Sequence, residues 1–264
     1  GFLIVTPTII LTLVLVHKSR SYFKLSSNLA TLIAVGTSVC GATAIVATAP
    51  AINAKKEEIA YAIANISIFG IFAMMTYPFV AHYVFPENLV SAGIFLGASI
   101  HETGQVAGAG LIYMDQYSSP QVFEVSTLTK LVRNTAMLVV IPYLSFNHAN
   151  SKTKNLPLGK RLYQIFPFFI LGFLFFGLVR TFGDIGLDQN SKAFGLLNAH
   201  DWNWLIQKIN IMSKFLLIVA MAAIGLSTDF KKLKHIGMRV FYYGLAIALF
   251  VGVISLLATL LLFR

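Results

Sequence analysis

Apolar residues run along the chain in about eight windows, at positions 2–17, 27–52, 58–84, 88–113, 121–146, 161–181, 203–226 and 239–263, separated by short polar connections. Each window is near the roughly 20 residues a helix needs to cross the hydrocarbon core of a bilayer. The period-two alternation of a transmembrane barrel is absent. Only intra-segment hydrogen bonds satisfy the backbone of such windows in lipid, so the pattern predicts an all-α fold, a polytopic transmembrane helical bundle. No connection is long enough for a soluble domain, and residues 1–264 read as a single transmembrane domain. The chain begins at Gly1 directly in apolar sequence, without a methionine, which makes eight spans a lower bound.

Composition supports the same class: 57% of residues are hydrophobic, 11% are charged, and mean hydropathy is +0.76. The net charge of +10 does not signal nucleic acid, because the cations gather in connections. Alternate connections carry eleven lysines and arginines against three, with Lys18, Arg20 and Lys24 in the richer set. The positive-inside bias makes that set cytoplasmic. Trp202 and Trp204 then sit at the outer interface, as an anchor in preference to a binding platform. Prolines 7, 78, 142 and 167 fall within spans, where kinks are tolerated. The single cysteine, Cys40, excludes an internal disulfide.

One stretch interrupts the apolar pattern. Gly97-Ala98-Ser99-Ile100-His101-Glu102-Thr103-Gly104-Gln105 lies midway along the fourth window. Of the chain's ten acids, Glu102 alone is central in a span. An ionisable group at that depth costs about 2.5–3.5 kcal/mol on insertion scales unless it faces a protein interior or a wet cavity. The second window echoes the stretch with Gly36-Thr37-Ser38-Val39-Cys40-Gly41, another Gly-x-Ser-aliphatic start. Small residues can simply let helices pack closely. Two such stretches, one with a carboxyl group, instead suggest a pair of interrupted helices with Gly36, Gly41, Gly97 and Gly104 at the breaks. Half-helix N-termini there favour anions.

The fifth window adds Lys130 and Arg133, near mid-depth and three residues apart on one helical face. Two cations against Glu102 form either a buried ion network or a site with surplus positive charge. A guanidinium grips oxyanions bidentately, and protonation of Glu102 or His101 would couple proton binding to anion binding. The candidate substrate-binding residues are therefore Thr37, Ser38, Cys40, Ser99, Gln105, Lys130 and Arg133, with His101 and Glu102 for proton coupling. Lys208 and Lys214 extend a cationic path or, more simply, snorkel to the interface. His101-Glu102 lacks the second histidine of a zinc helix, since the fifth position is Gln105. No catalytic triad order, phosphate loop or cysteine pair is present, so no metal, cofactor or enzymatic activity is expected.

Four ordered pieces resemble the YeiH-like family of bacterial multi-pass membrane proteins, described as sulfate exporters. They are Gly36 to Ala42; Gly97 to Thr103 with Gln105-Val106; Lys130-Leu131-Val132-Arg133; and Met221 to Thr228. The resemblance implies a transporter of ten or eleven spans with crossing broken helices, two or three of the spans preceding Gly1, in a bacterial inner membrane. Sulfate or an organic sulfonate is the substrate it implies. Three functions follow as expectations: a proton-coupled small-anion transporter, a cation–proton antiporter with Glu102 as carrier, and a membrane scaffold in which the polar cluster fixes helix packing. The expected partners are a small anion, the lipid bilayer and a second copy in a homo-oligomer, with no nucleic acid.

Overall fold

A computed structural model describes residues 2–50, 52–147, 169–190, 192–227 and 238–263. Among the described residues the fold is all-α, apart from one minimal hairpin. In order, α1 is Phe2–Ser19, α2 Ser27–Ser38, α3 Ala42–Thr48, α4 Lys56–Val84, α5 Leu89–Ser99, α6 Thr103–Tyr117, α7 Pro120–Thr135 and α8 Met137–Asn147. Then come α9 Phe169–Asn190, β1 Lys192–Ala193, β2 Leu197–Asn198, α10 Ala199–Ser227 and α11 Met238–Leu262. Two compact units result, one of residues 1–165 with 227–264 and one of residues 166–226.

The larger unit holds α1 to α8 and α11. Helix starts follow local chemistry. Ser26 caps α2 by accepting from the Leu29 amide at 3.2 Å. Glu58 accepts from the Lys55 amide at 2.8 Å and also from the Ser26 hydroxyl, tying the start of α4 to that of α2. Asn88 caps α5 and Pro120 opens α7, where a missing amide proton is harmless. One apolar core joins Val16, Leu32, Ile33, Ile45, Ile66 and Tyr243 from α1, α2, α3, α4 and α11. Another joins Phe85, Phe95, Leu96, Val106, Tyr113 and Val122 around α5 and α6. By length and composition α4 and α11 are each able to cross a membrane.

The windows at 27–52 and 88–113 are each two helices, as the polar interruptions predict. The breaks lie at Val39–Gly41 and Ile100–Glu102, not at all the glycines expected. Gly41 alone sits in a break, with φ +74°, which L side chains rarely adopt. Gly36 is inside α2, where a Cβ would lie 2.0 Å from Ile66 Cδ1; Gly97 is inside α5, where one would lie 2.4 Å from the Ser126 carbonyl. Both are close-packing positions, and Gly104 is in the first turn of α6. The fifth window is also divided, at Ala136 between α7 and α8.

The smaller unit differs from the expected 182–202 loop: α9 continues to Asn190 and a hairpin pairs Lys192 with Asn198 and Ala193 with Leu197. Trp202 is not an interfacial anchor, because its ring is 3% exposed and packs so close to Gly183 that a Cβ there would lie 2.2 Å away. Its indole donates to Asp184 at 2.8 Å, and Arg180 donates to the same carboxylate at 2.9 Å. Those donors, the Trp202 indole first, hold the Asp184 carboxyl below its ordinary range. Trp204 is exposed, with the Lys208 ammonium 5.6 Å from its ring centroid. Pro167, the lysines at 152, 154, 160, 231, 232 and 234, Arg161, Thr228 and the side chain of Lys214 lie outside the described residues.

Candidate functional site

The two breaks touch, and α7 locks them together. A helix leaves its last carbonyls without intrahelical partners and carries partial negative charge at that end. Here α2 and α5 both end at the junction, and both cations of α7 meet their ends. The Lys130 ammonium donates to the carbonyls of Val39 at 3.1 Å, Ile100 at 2.9 Å and His101. Arg133 donates from Nε to Ser38 O at 2.7 Å, from Nη1 to the carbonyls of Ala98 and Ile100, and from Nη2 to Thr37 O. Lys130 is 0% and Arg133 1% exposed, so no water competes for these bonds.

The opposite charge faces the opposite helix ends. Glu102 stands at the N-cap position of α6, where Gln105 Oε1 accepts from the Glu102 amide at 3.3 Å. Glu102 Oε1 accepts from the Ala42 amide at 3.1 Å, at the start of α3. The first residue ahead of one half-helix thus places its carboxylate on the positive end of another. Gly41 makes room for it, since a Cβ there would lie 2.2 Å from Glu102 Cγ.

This arrangement departs from both electrostatic expectations. Among the described residues the only ion pairs are Arg180 with Asp184 and His200 with Asp201, so Glu102, Lys130 and Arg133 form no ion network. The surplus of cations is balanced by helix ends, not left over. An ammonium has three donors, and all three of Lys130 are engaged by carbonyls.

The other expected residues divide. The hydroxyls of Thr37 and Ser99 donate back along their own helices, to Ile33 O and Phe95 O, each at 2.6 Å. Cys40 Sγ lies 3.1 Å from Met137 Sδ. Gln105 reaches across to α4, donating to Ser67 O at 3.3 Å; a Cβ on Gly70 of α4 would strike its amide. Among the described residues, the buried polar atoms without a partner include Ser38 Oγ, His101 Nδ1, Glu102 Oε2 and Asn134 Oδ1. The residues bearing them are at most 5% exposed. Asn134 was missed from the sequence; its Nδ2 donates to Thr103 Oγ1 at 3.1 Å. An amide following two buried cations on α7 was the available signal.

A family model described as conserved hypothetical protein 698 matches residues 1–244. A UPF0324 membrane protein of Streptococcus agalactiae is 31% identical over 96% of this chain and 70% of its own length. Another from Streptococcus pneumoniae is 32% identical over 86% of this chain and 62% of its own, and one from Agrobacterium fabrum 32% over 93% and 63%. The chain thus spans about two thirds of these relatives. No solved structure matches.

Proposed function

The chain belongs to the family of conserved hypothetical protein 698 and is a membrane protein; from that premise we propose that it works as a multi-pass secondary transporter for a small anion, coupled to protons, in a bacterial inner membrane. The observation that carries this reading is Glu102, a buried carboxylate at the N-cap position of α6 that accepts from the start of α3 with one oxygen unpartnered. Interrupted helices meeting in one place are the arrangement on which alternating access is built. With about eight spans in this chain, the larger unit supplies both of them.

The mechanism follows from charge replacement. Ionised, Glu102 satisfies the amide of Ala42 and acts as the site's own anion. Protonated, it is a weaker acceptor, and a solute anion can take over the helix end it leaves, with the unpartnered Ser38 hydroxyl as a further donor. Proton and anion thus bind together and the carboxylate restores the empty state. Lys130 and Arg133 contribute by neutralising the C-terminal ends of α2 and α5, which keeps the opposite ends available. Sulfate or an organic sulfonate is the candidate solute that the family resemblance supplies.

Cation–proton antiport is the second reading, favoured by the unpartnered acceptors Glu102 Oε2 and Asn134 Oδ1. Glu102→Gln separates the two in the full-length protein reconstituted in proteoliposomes. Glutamine imitates the protonated acid, so the anion reading expects sulfate or sulfonate binding that no longer varies with pH, with uptake uncoupled from the proton gradient. Loss of cation binding, with no anion bound at any pH, supports antiport and defeats the first reading. A variant that changes stability alone leaves the membrane scaffold.

A further inference from the structure

A cavity of about 560 Å³ opens in the larger unit between the end of α1, the first turns of α2 and the end of α8. Its volume lies within the range of ligand pockets. Val14, Ala34 and Tyr143 give it apolar lining, and Lys18, Arg20 and Ser27 line it as well. Arg20 donates from Nη1 to the Ser27 hydroxyl, which holds the guanidinium against the cavity lining. No acid lines the cavity, and among the described residues neither cation belongs to an ion pair. Glu58, whose carboxylate meets the neighbouring Ser26, is committed to that hydroxyl and to the Lys55 amide.

Two cations beside an apolar slot match an amphiphile with an anionic head. Lys18 and Arg20 belong to the connections richer in cations, which the positive-inside bias assigns to the cytoplasmic face, where anionic lipid is the available phosphate ester. Tyr143, 60% exposed, fits the level of the headgroups. We propose that this cavity binds an anionic phospholipid of the cytoplasmic leaflet, with its phosphate between Lys18 and Arg20 and an acyl chain against Val14 and Ala34. The site is separate from the helix junction and independent of which solute is carried.

The test is thermal unfolding of the full-length protein in detergent micelles titrated with phosphatidylglycerol, phosphatidylcholine or glycerol phosphate. Phosphatidylglycerol is expected to stabilise more than phosphatidylcholine, and glycerol phosphate to have no effect at equal concentration. Lys18→Gln with Arg20→Gln should weaken the phosphatidylglycerol response by about tenfold or more, given about one charge's worth of attraction lost at each position. Val14→Trp keeps every charge and fills the slot, so it too should abolish the preference; Val14 is 46% exposed, and Val14→Phe serves if tryptophan is not tolerated. Equal stabilisation by both lipids overturns the proposal. So does a preference that survives filling of the slot, which marks diffuse surface attraction, or a full response to glycerol phosphate, which marks a soluble phosphate site.

Discussion

Replacing Lys130 by methionine separates a helix-capping cation from a substrate-binding one. The substitution keeps the length of the side chain and removes three hydrogen bonds, to the carbonyls of Val39, Ile100 and His101. Hydrogen bonds to a charged group contribute about 1.5–3 kcal/mol each. The buried ammonium returns part of that on removal, because its desolvation penalty is several kcal/mol. The buried carbonyls of Val39 and His101 lose this donor while Ile100 O keeps Arg133 Nη1, and the net loss is about 3 kcal/mol. For a domain of this size that lowers the unfolding midpoint by roughly 6–12 °C. Thermal unfolding of the purified full-length protein, with and without saturating anion, reads both quantities. The capping role expects a low midpoint with the anion-dependent increment retained below it. A midpoint within about 2–4 °C of the parent, together with loss of the anion increment, would refute the account, since the ammonium would then be a ligand group.

Two further outcomes follow from contacts. Gly97→Ala should destabilise by about 1–3 kcal/mol, because its Cβ would meet the Ser126 carbonyl of α7, a backbone atom with no freedom to yield. Gly108→Ala meets only the flexible Met74 Sδ, at 2.6 Å, and should be far milder; equal losses in thermal unfolding would sink the distinction. Trp202→Phe should make the smaller unit less sensitive to acid. The Asp184 carboxyl is held below its ordinary range, so its contribution is present above the unfolded value of about 3.9 and is lost as pH falls through the lower folded value. Removing the indole donor, the larger cause, shrinks that loss, and amide exchange in α9 and α10 at pH 5 and pH 3 measures it.

Much of the frame was legible from hydropathy. Seven of the eight windows coincide with described helices or helix pairs over most of their length, and the described part of the sixth lies within α9. Two interrupted helices were readable too, because glycine and small polar residues at mid-window serve poorly in an unbroken span. Their positions were less so: Gly36 and Gly97 report close packing, and only Gly41 has the backbone of a break. The better local sign was Glu102 with Gln105 three residues on, a capping box that starts a helix. That Lys130 and Arg133 point one way was visible in their spacing. That they point at carbonyls was not, because their partners lie 29 to 96 residues away along the chain.

The junction's cations grip main-chain oxygens, which every residue type possesses. Positions 37 to 39, 98, 100 and 101 can therefore drift in side-chain identity without loosening the hold, whereas 130 and 133 have no such latitude. A peptide oxygen survives any change of the side chain beside it, so this clasp opens only through an alteration at 130 or 133.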